Sequence, residues 1–287
     1  MKNRSWLPEA ALLGVAFIWG GGLVASKVAL EGWNTAEILF LRFGCAAFFQ
    51  SALLGKGIRI SSAKTIGYGV ATGLLFMGAL CFQLSGLKYT SSAKSGFICG
   101  SYAALVPFIS WGIQRIRPRY RDVAAGMLAV TGIGILSLDE RLTLGKGEFL
   151  SIFFTILYGM MIVLVAQYSS VEHDRLQMTF FQFLTIAVMS GILVIMQGGS
   201  LRCSSLRPIL AILYLIGPNT VIAMSIQNIA QGYVEASRAS LLMSMEAIFA
   251  FAFSTLFFRE KVDMRILLGC ALCMCAIFMS ALKKKTT

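Results

Sequence analysis

Residues 10–26 read AALLGVAFIWGGGLVAS, seventeen consecutive positions without a charged side chain. Runs of comparable length and apolarity recur along nearly the whole chain. At 1.5 Å per residue, about twenty helical residues cross the roughly 30 Å hydrocarbon core of a bilayer. In hydrocarbon every backbone N–H and C=O needs a partner within the protein, so such segments span as helices. The stretch predicts an all-α membrane protein, in which each buried charge needs a reason.

Composition points the same way. Of 287 residues, 57% are hydrophobic and 13% charged, a balance that would not keep a soluble domain dispersed in water. The net charge of +12 does not argue for nucleic acid. The basic residues fall between the apolar runs instead of forming one face or tail, which is the pattern of loops held at an anionic membrane surface. Of seven cysteines, Cys45, Cys81, Cys99, Cys270, Cys273 and Cys275 lie inside apolar runs and read as packing residues, so no disulfide framework is expected. Cys270 and Cys273 form a C-x-x-C, but inside an apolar span and without a histidine nearby the pair reads as helix packing rather than a metal site. His173, in Glu172-His173-Asp174, falls in a predicted loop and reads as solvent-exposed. The first run is preceded only by Lys2 and Arg4 and is followed by further spans, so it reads as a membrane helix and not as a cleaved signal peptide.

Apolar runs of about 17 to 25 residues between charged or turn-rich punctuation give about ten helices, at 9–30, 35–54, 66–86, 93–113, 122–138, 147–168, 177–197, 207–228, 238–258 and 264–282. With a cytoplasmic N-terminus, the inside segments hold fourteen lysines and arginines and the outside segments nine. The cluster from Arg115 to Arg121 and the triplet Lys283, Lys284 and Lys285 weigh most, and the bias predicts both termini inside. Sliding the chain by 144 residues sets Gly73 on Gly217, Ala79 on Ala223, Gln83 on Gln227, Tyr89 on Tyr233, Lys94 on Arg238, Ser110 on Ser254, Arg115 on Arg259 and Arg121 on Arg265 without a gap. Each half, 1–143 and 144–287, then holds five helices. Five is odd, so the second half enters the membrane in the opposite sense, and the fold expected is two inverted five-helix repeats.

At these residues the chain resembles the drug/metabolite transporter superfamily, and within it the EamA-like permeases. The likeness rests on Phe17-Ile-Trp-Gly20 leading to Lys27, on Leu41-Arg42-Phe43, and on the run from Gly86 to Gly96 continuing to Pro107. In the second half it rests on the run from Tyr233 to Glu246 and on Phe258-Arg-Glu-Lys261 followed by Gly269. The resemblance implies an inner-membrane carrier of ten helices that exports amino acids, related metabolites or toxic small molecules. One departure is Ala247, where the family commonly has proline, and it bears on a local helix kink.

Glu246 lies about eight residues into the ninth predicted span, on the order of 12 Å along the helix. A carboxylate there costs about 2.5 to 3.5 kcal/mol even on insertion scales, so it should face a wet cavity or a partner. It reads either as a counter-ion for a substrate ammonium or proton-coupling site, or as a structural partner for a neighbouring helix. Trp19, Gln83, Tyr102, Tyr158, Asn219 and Gln227 are expected to line a cavity with it, Tyr102 being its repeat mate. Pro218 breaks the eighth span beside Asn219, and Gln227 and Asn228 extend a polar stripe that is either interhelical glue or a substrate path. Trp19 precedes three glycines, Gly20 to Gly22, which permit close helix approach. Lys27, Arg42, Lys94 and Arg238 are the gating or charge-pairing candidates. Lys27, Lys94 and Arg238 also read as snorkelling anchors. Arg238 is expected on one helix face with Glu246, and Arg42 is expected to pair with Glu37, a carbonyl or another helix.

The function expected is a secondary transporter, an exporter by this resemblance, working by alternating access around a site lined by the first, third, fourth, sixth, eighth and ninth helices. There is no G-x-x-x-x-G-K-[ST] loop for ATP and no H-E-x-x-H, G-x-S-x-G or deep aspartate pair for an intramembrane enzyme. An enzyme and a non-transporting scaffold stand as the alternatives. No cofactor and no metal are expected. The partners are a small-molecule substrate and the lipid bilayer, with a homodimer left open. The location is the cytoplasmic, or inner, membrane.

Overall fold

The computed structural model describes residues 6–55, 62–115, 117–137, 145–169, 174–258 and 264–281. His173, Lys2, Arg4, Arg259, Lys261 and the terminal lysine triplet lie outside them.

The described residues fold into helices α1 (Trp6–Ala29), α2 (Thr35–Leu54), α3 (Ala63–Leu87), α4 (Ser92–Gly100), α5 (Tyr102–Gln114), α6 (Tyr120–Ser137), α7 (Lys146–Ser169) and α8 (Arg175–Met196). They continue with α9 (Leu206–Tyr214), a π-helical stretch (Leu215–Ile222), α10 (Ala223–Ala230), α11 (Ala236–Ser244), α12 (Glu246–Phe258) and α13 (Met264–Ala281). Counted through their breaks, eight segments among the described residues are long and apolar enough to cross a membrane. The expected fifth and tenth spans are helices too, α6 and α13, each of 18 residues. The ends are set by local chemistry. Asn34 and Glu37 close a capping box at the start of α2, and Ser62 and Ser91 cap α3 and α4, each satisfying an amide N–H that the helix cannot.

The duplication extends to the breaks. A shift of 144 lays Ser92–Gly100 on Ala236–Ser244, Tyr102–Gln114 on Glu246–Phe258 and Tyr120–Ser137 on Met264–Ala281, residue for residue. Packing obeys the same symmetry. Helix α2 lies on its mate α8 and α6 on its mate α13, while the contact of α12 with α1 answers that of α5 with α7.

The fourth span bends at Ser101, whose hydroxyl donates to the Ile98 carbonyl at 2.6 Å. The ninth bends at Met245, just after Ser244, whose hydroxyl donates to Leu241 at 2.7 Å. Serine bonding back to its own preceding turn competes with the helix ladder and bends it. The ninth span breaks at Met245 although Ala247 stands where the family commonly has proline.

The eighth span deforms at Pro218, which has no amide hydrogen to give to the preceding turn. The chain answers with the π stretch, in which the Thr220 hydroxyl donates to the Leu215 carbonyl five residues back at 2.6 Å. Short π segments inside α-helices frequently mark functional sites.

Candidate functional site

Between the halves, residues of six spans enclose about 430 Å³ of empty space, its open mouth included. Helix α1 gives Trp19, Gly22, Leu23 and Ser26, and α2 gives Arg42. Helix α3 gives Phe76, Leu80 and Gln83, and α7 gives Phe154 and Tyr158. The eighth span gives Asn219 and Met224, and α12 gives Glu246. The expected fourth span does not line this space; the second does, through Arg42.

Glu246 is 6% exposed and stands in the first turn of α12, where the unsatisfied N–H groups of a helix start favour a negative charge. No described residue hydrogen-bonds to it or pairs with it, although it is close enough to act electrostatically on Cys99, Tyr102 and Tyr158. The Tyr102 hydroxyl is likewise buried without a partner among the described residues, and the Tyr158 hydroxyl has the Gln227 side chain beside it. Buried polar groups in native proteins are nearly always satisfied, so the carboxyl of Glu246, on the cavity wall beside Tyr158, points to something that enters the cavity, ligand or water.

Arg42, 4% exposed, does not pair with Glu37. That carboxylate closes the α2 cap and accepts from the Ser200 amide at 3.1 Å. Arg42 instead donates from Nη2 to Asn219 Oδ1 at 2.9 Å and from Nε to Thr220 Oγ1 at 3.2 Å, with its guanidinium 5.4 Å from the Phe43 ring. The π stretch thus holds the arginine at the cavity wall with neutral oxygens, and no ion pair reaches its charge among the described residues. Two of its five N–H groups are used by these bonds.

Asn219 also joins the eighth span to α1. Its backbone carbonyl accepts from Trp19 Nε1 at 3.1 Å, its Nδ2 donates to the Ile18 carbonyl at 3.3 Å, and Tyr214 donates to that same carbonyl at 2.7 Å. Gly21 and Gly22 allow this approach, and Gly20 allows that of α12. A Cβ on Gly20 would stand 2.8 Å from the Ala250 amide nitrogen, one on Gly21 2.7 Å from the Tyr214 hydroxyl, and one on Gly22 would collide with the Asn219 side chain.

Tyr158 centres an aromatic wall. Its ring lies 4.9 Å from Tyr102, 5.1 Å from Phe154, 5.6 Å from Phe76 and 6.0 Å from Trp19. Tyr102 therefore stands behind Tyr158 and not on the cavity surface. Gln227 is also set back, fully buried, with Nε2 donating to Gln231 Oε1 at 3.3 Å and its side chain next to the Tyr158 hydroxyl. Gln83 lines the cavity, its amide reaching Cys99 Sγ at 3.7 Å.

The other charges lie elsewhere. Arg238 does not join Glu246; the bend at Met245 separates them, and Arg238 bridges to Glu9 of α1 at 2.8 Å. Lys27 donates to the Thr90 carbonyl at 3.3 Å and, with Lys94, lines a different cavity. No group of histidine, cysteine, aspartate or glutamate among the described residues is arranged to hold a metal.

Sequence reasoning missed Phe76 and Phe154, which nothing distinguishes from lipid-facing phenylalanines in an apolar run. It placed Arg42 among structural partners although its depth was a signal of the cavity.

The EamA-like transporter family matches the chain twice, over residues 6–138 and 145–282. The chain belongs to the EamA-like transporter family. It is a multi-pass membrane transporter of the drug/metabolite transporter superfamily, and its cavity lies where the two EamA units meet. A relative named as an uncharacterized transporter, from Archaeoglobus fulgidus, is 28% identical over 274 residues, covering 94% of this chain and 84% of its own length. A solved crystal structure superposes with a TM-score of 0.70 at 15% identity, covering 94% of this chain and 96% of that one, a likeness of fold alone.

Proposed function

We propose that this EamA-like protein is a secondary transporter of small zwitterionic metabolites, amino acids or close relatives, moved by alternating access across the cytoplasmic membrane. One observation carries the substrate class: a carboxylate and a guanidinium, Glu246 and Arg42, line the same buried cavity without pairing to each other. Away from bulk water each lone charge is costly, and a ligand carrying the opposite two charges satisfies both at once. The substrate ammonium goes to Glu246 and the aromatic wall, whose ring faces attract cations. The substrate carboxylate goes to the N–H groups that Arg42 has left over. The aromatic side chains give its hydrocarbon part an apolar surface.

The moving parts are the repeats, 1–143 and 144–287. Where they meet, α4 lies on α12 through small residues. A Cβ on Gly96 would stand 3.0 Å from Ala250 Cβ, and one on Gly100 3.2 Å from Ala247 Cβ. A seam of small residues lets two helices shift without side chains interlocking across it. Export, and an orientation with both termini cytoplasmic, rest on the family resemblance and on the lysine and arginine bias.

The test is thermal unfolding of the purified protein with three ligand sets: amino acids, the matching amines without the carboxylate, and the matching acids without the amine. A ligand that binds only the folded state raises the midpoint by mass action. Zwitterions should stabilise at concentrations at least tenfold lower than either half. Equal or stronger stabilisation by amines alone would remove Arg42 from substrate recognition and overturn the zwitterion reading.

A further inference from the structure

A second cavity, about 740 Å³ with its opening included, lies where the ends of α1 and α3 meet the starts of α4 and α7. Three ammonium groups from separate elements line it: Lys27 in the last turn of α1, Lys88 at the end of α3 and Lys94 in the first turn of α4. Among the described residues that line it, one carboxylate stands against them, Glu148, whose Oε1 accepts from the Thr90 hydroxyl at 2.8 Å. Thr90 also accepts from Lys27 Nζ through its carbonyl, so this short connection is tied to α1 and α7 and keeps Lys88 and Lys94 beside the opening. Lys146 is drawn aside, its ammonium 4.6 Å from the centre of the Tyr89 ring.

The other end of the protein supplies the comparison. Arg238 is the repeat mate of Lys94 and has an acidic partner in Glu9 at 2.8 Å. Neither Lys88 nor Lys94 has an ion-pair partner among the described residues. Snorkelling anchors each follow their own helix outward, whereas these lysines converge on one hollow. The start of α4 faces it too; the Ser91 hydroxyl takes the Lys94 N–H, and the positive end of the helix dipole favours an anion there. Gathered like charges repel, and an anion between them turns that repulsion into attraction.

We propose that this cavity binds an oxyanion, a phosphate or carboxylate group, between Lys27, Lys88 and Lys94 over the first turn of α4. The site is separate from the central cavity and does not depend on what that cavity carries. A phospholipid headgroup and a free anion share this chemistry, and the experiment separates them.

Purified full-length protein in an uncharged detergent at low ionic strength is titrated with inorganic phosphate and, in parallel, with short-chain phosphatidylglycerol, reading the unfolding midpoint. A saturable rise is expected with at least one probe, weakening as sodium chloride is added. The lipid alone acting assigns the site to a headgroup; phosphate acting as well assigns it to a free anion. Lys88→Gln with Lys94→Gln should raise the half-saturating concentration at least tenfold, and Lys88→Gln alone should raise it less while disturbing the fold least, since that side chain is exposed. Lys64→Gln, at the opposite end of α3, removes the same charge and should leave binding unchanged. No saturable rise with either probe, or the same response from the Lys88/Lys94 and Lys64 variants, overturns the proposal.

Discussion

Gly100 and Ser244 hold the same place in the two repeats and lie against each other: a Cβ on Gly100 would stand 3.3 Å from the Ser244 carbonyl oxygen. Two equivalent residues touch only where a pseudo-two-fold axis passes between them. The axis therefore runs through the bends of the fourth and ninth spans. The residues just beyond those bends, Tyr102 and Glu246, are mates as well, so near-symmetric backbone carries a neutral phenol on one side of the axis and a carboxylate on the other. The duplicated scaffold supplies the near-symmetry, and the departure from it supplies the ionisable group.

Glu246→Gln keeps side-chain shape and most hydrogen-bonding capacity while removing the ionisable group. The variant should express and elute as wild type, with transport into proteoliposomes reduced at least tenfold, about 1.4 kcal/mol in the transition-state comparison. Arg42→Gln should match that loss for zwitterions, and it should also lower the unfolding midpoint because Asn219 and Thr220 lose their donor. Unaltered transport by Glu246→Gln would reduce the carboxylate to helix glue.

Gly20→Ala should destabilise by about 1 to 3 kcal/mol, the range for forcing an extra methyl into a packed contact, because the new Cβ meets Phe249 and the Ala250 backbone. Gly14→Ala on the same helix meets nothing within 4 Å and should be neutral or slightly stabilising. Thermal unfolding of the two variants side by side checks the contrast, and equal midpoints would argue against the close crossing of α1 and α12.

Pro218→Ala restores an amide hydrogen and lets the π stretch relax toward α-helical pairing. Shifting the turn from π to α pairing rotates Asn219 and Thr220 against Arg42 and Trp19. Transport should fall at least tenfold while the purified protein stays folded by circular dichroism. Full activity in this variant would mean that the proline is tolerated rather than used.

Orientation is checked by cysteine accessibility in intact cells, starting from a cysteine-free background. An impermeant thiol reagent should label a cysteine at Lys146 and spare one at Arg117. The reverse pattern would invert the topology and place the lysine cavity on the cytoplasmic side.

The helices were legible because hydrocarbon enforces one rule on every span: the backbone must satisfy itself, and the side chains must be apolar for about twenty residues. The predicted second span, 35–54, matches α2 at both ends, where the capping box leaves its mark in Asn34 and Glu37. The repeat was legible because Gln83 with Gln227 and Tyr89 with Tyr233 are pairings that apolar helices do not produce by chance. Glu246 announced itself by depth, since an acidic residue has no ordinary reason to be there.

What the sequence determined by itself is the set of spans, their duplication and the presence of buried charge, all of which depend on local composition and on spacing along one chain. Tertiary structure alone decided which charges meet. Arg42 and Asn219 are separated by 177 positions, and nothing in either neighbourhood records that the π stretch at Pro218 turns one toward the other. Nor does the chain's pattern show that Arg238 goes to Glu9 while its mate Lys94 keeps no acidic partner among the described residues. Apolar periodicity says how far a helix runs and which residues need shelter. Which helix shelters them depends on contacts between surfaces that are all nearly equally apolar, and in lipid those are separated only by packing of small residues and by the few polar groups that find one another.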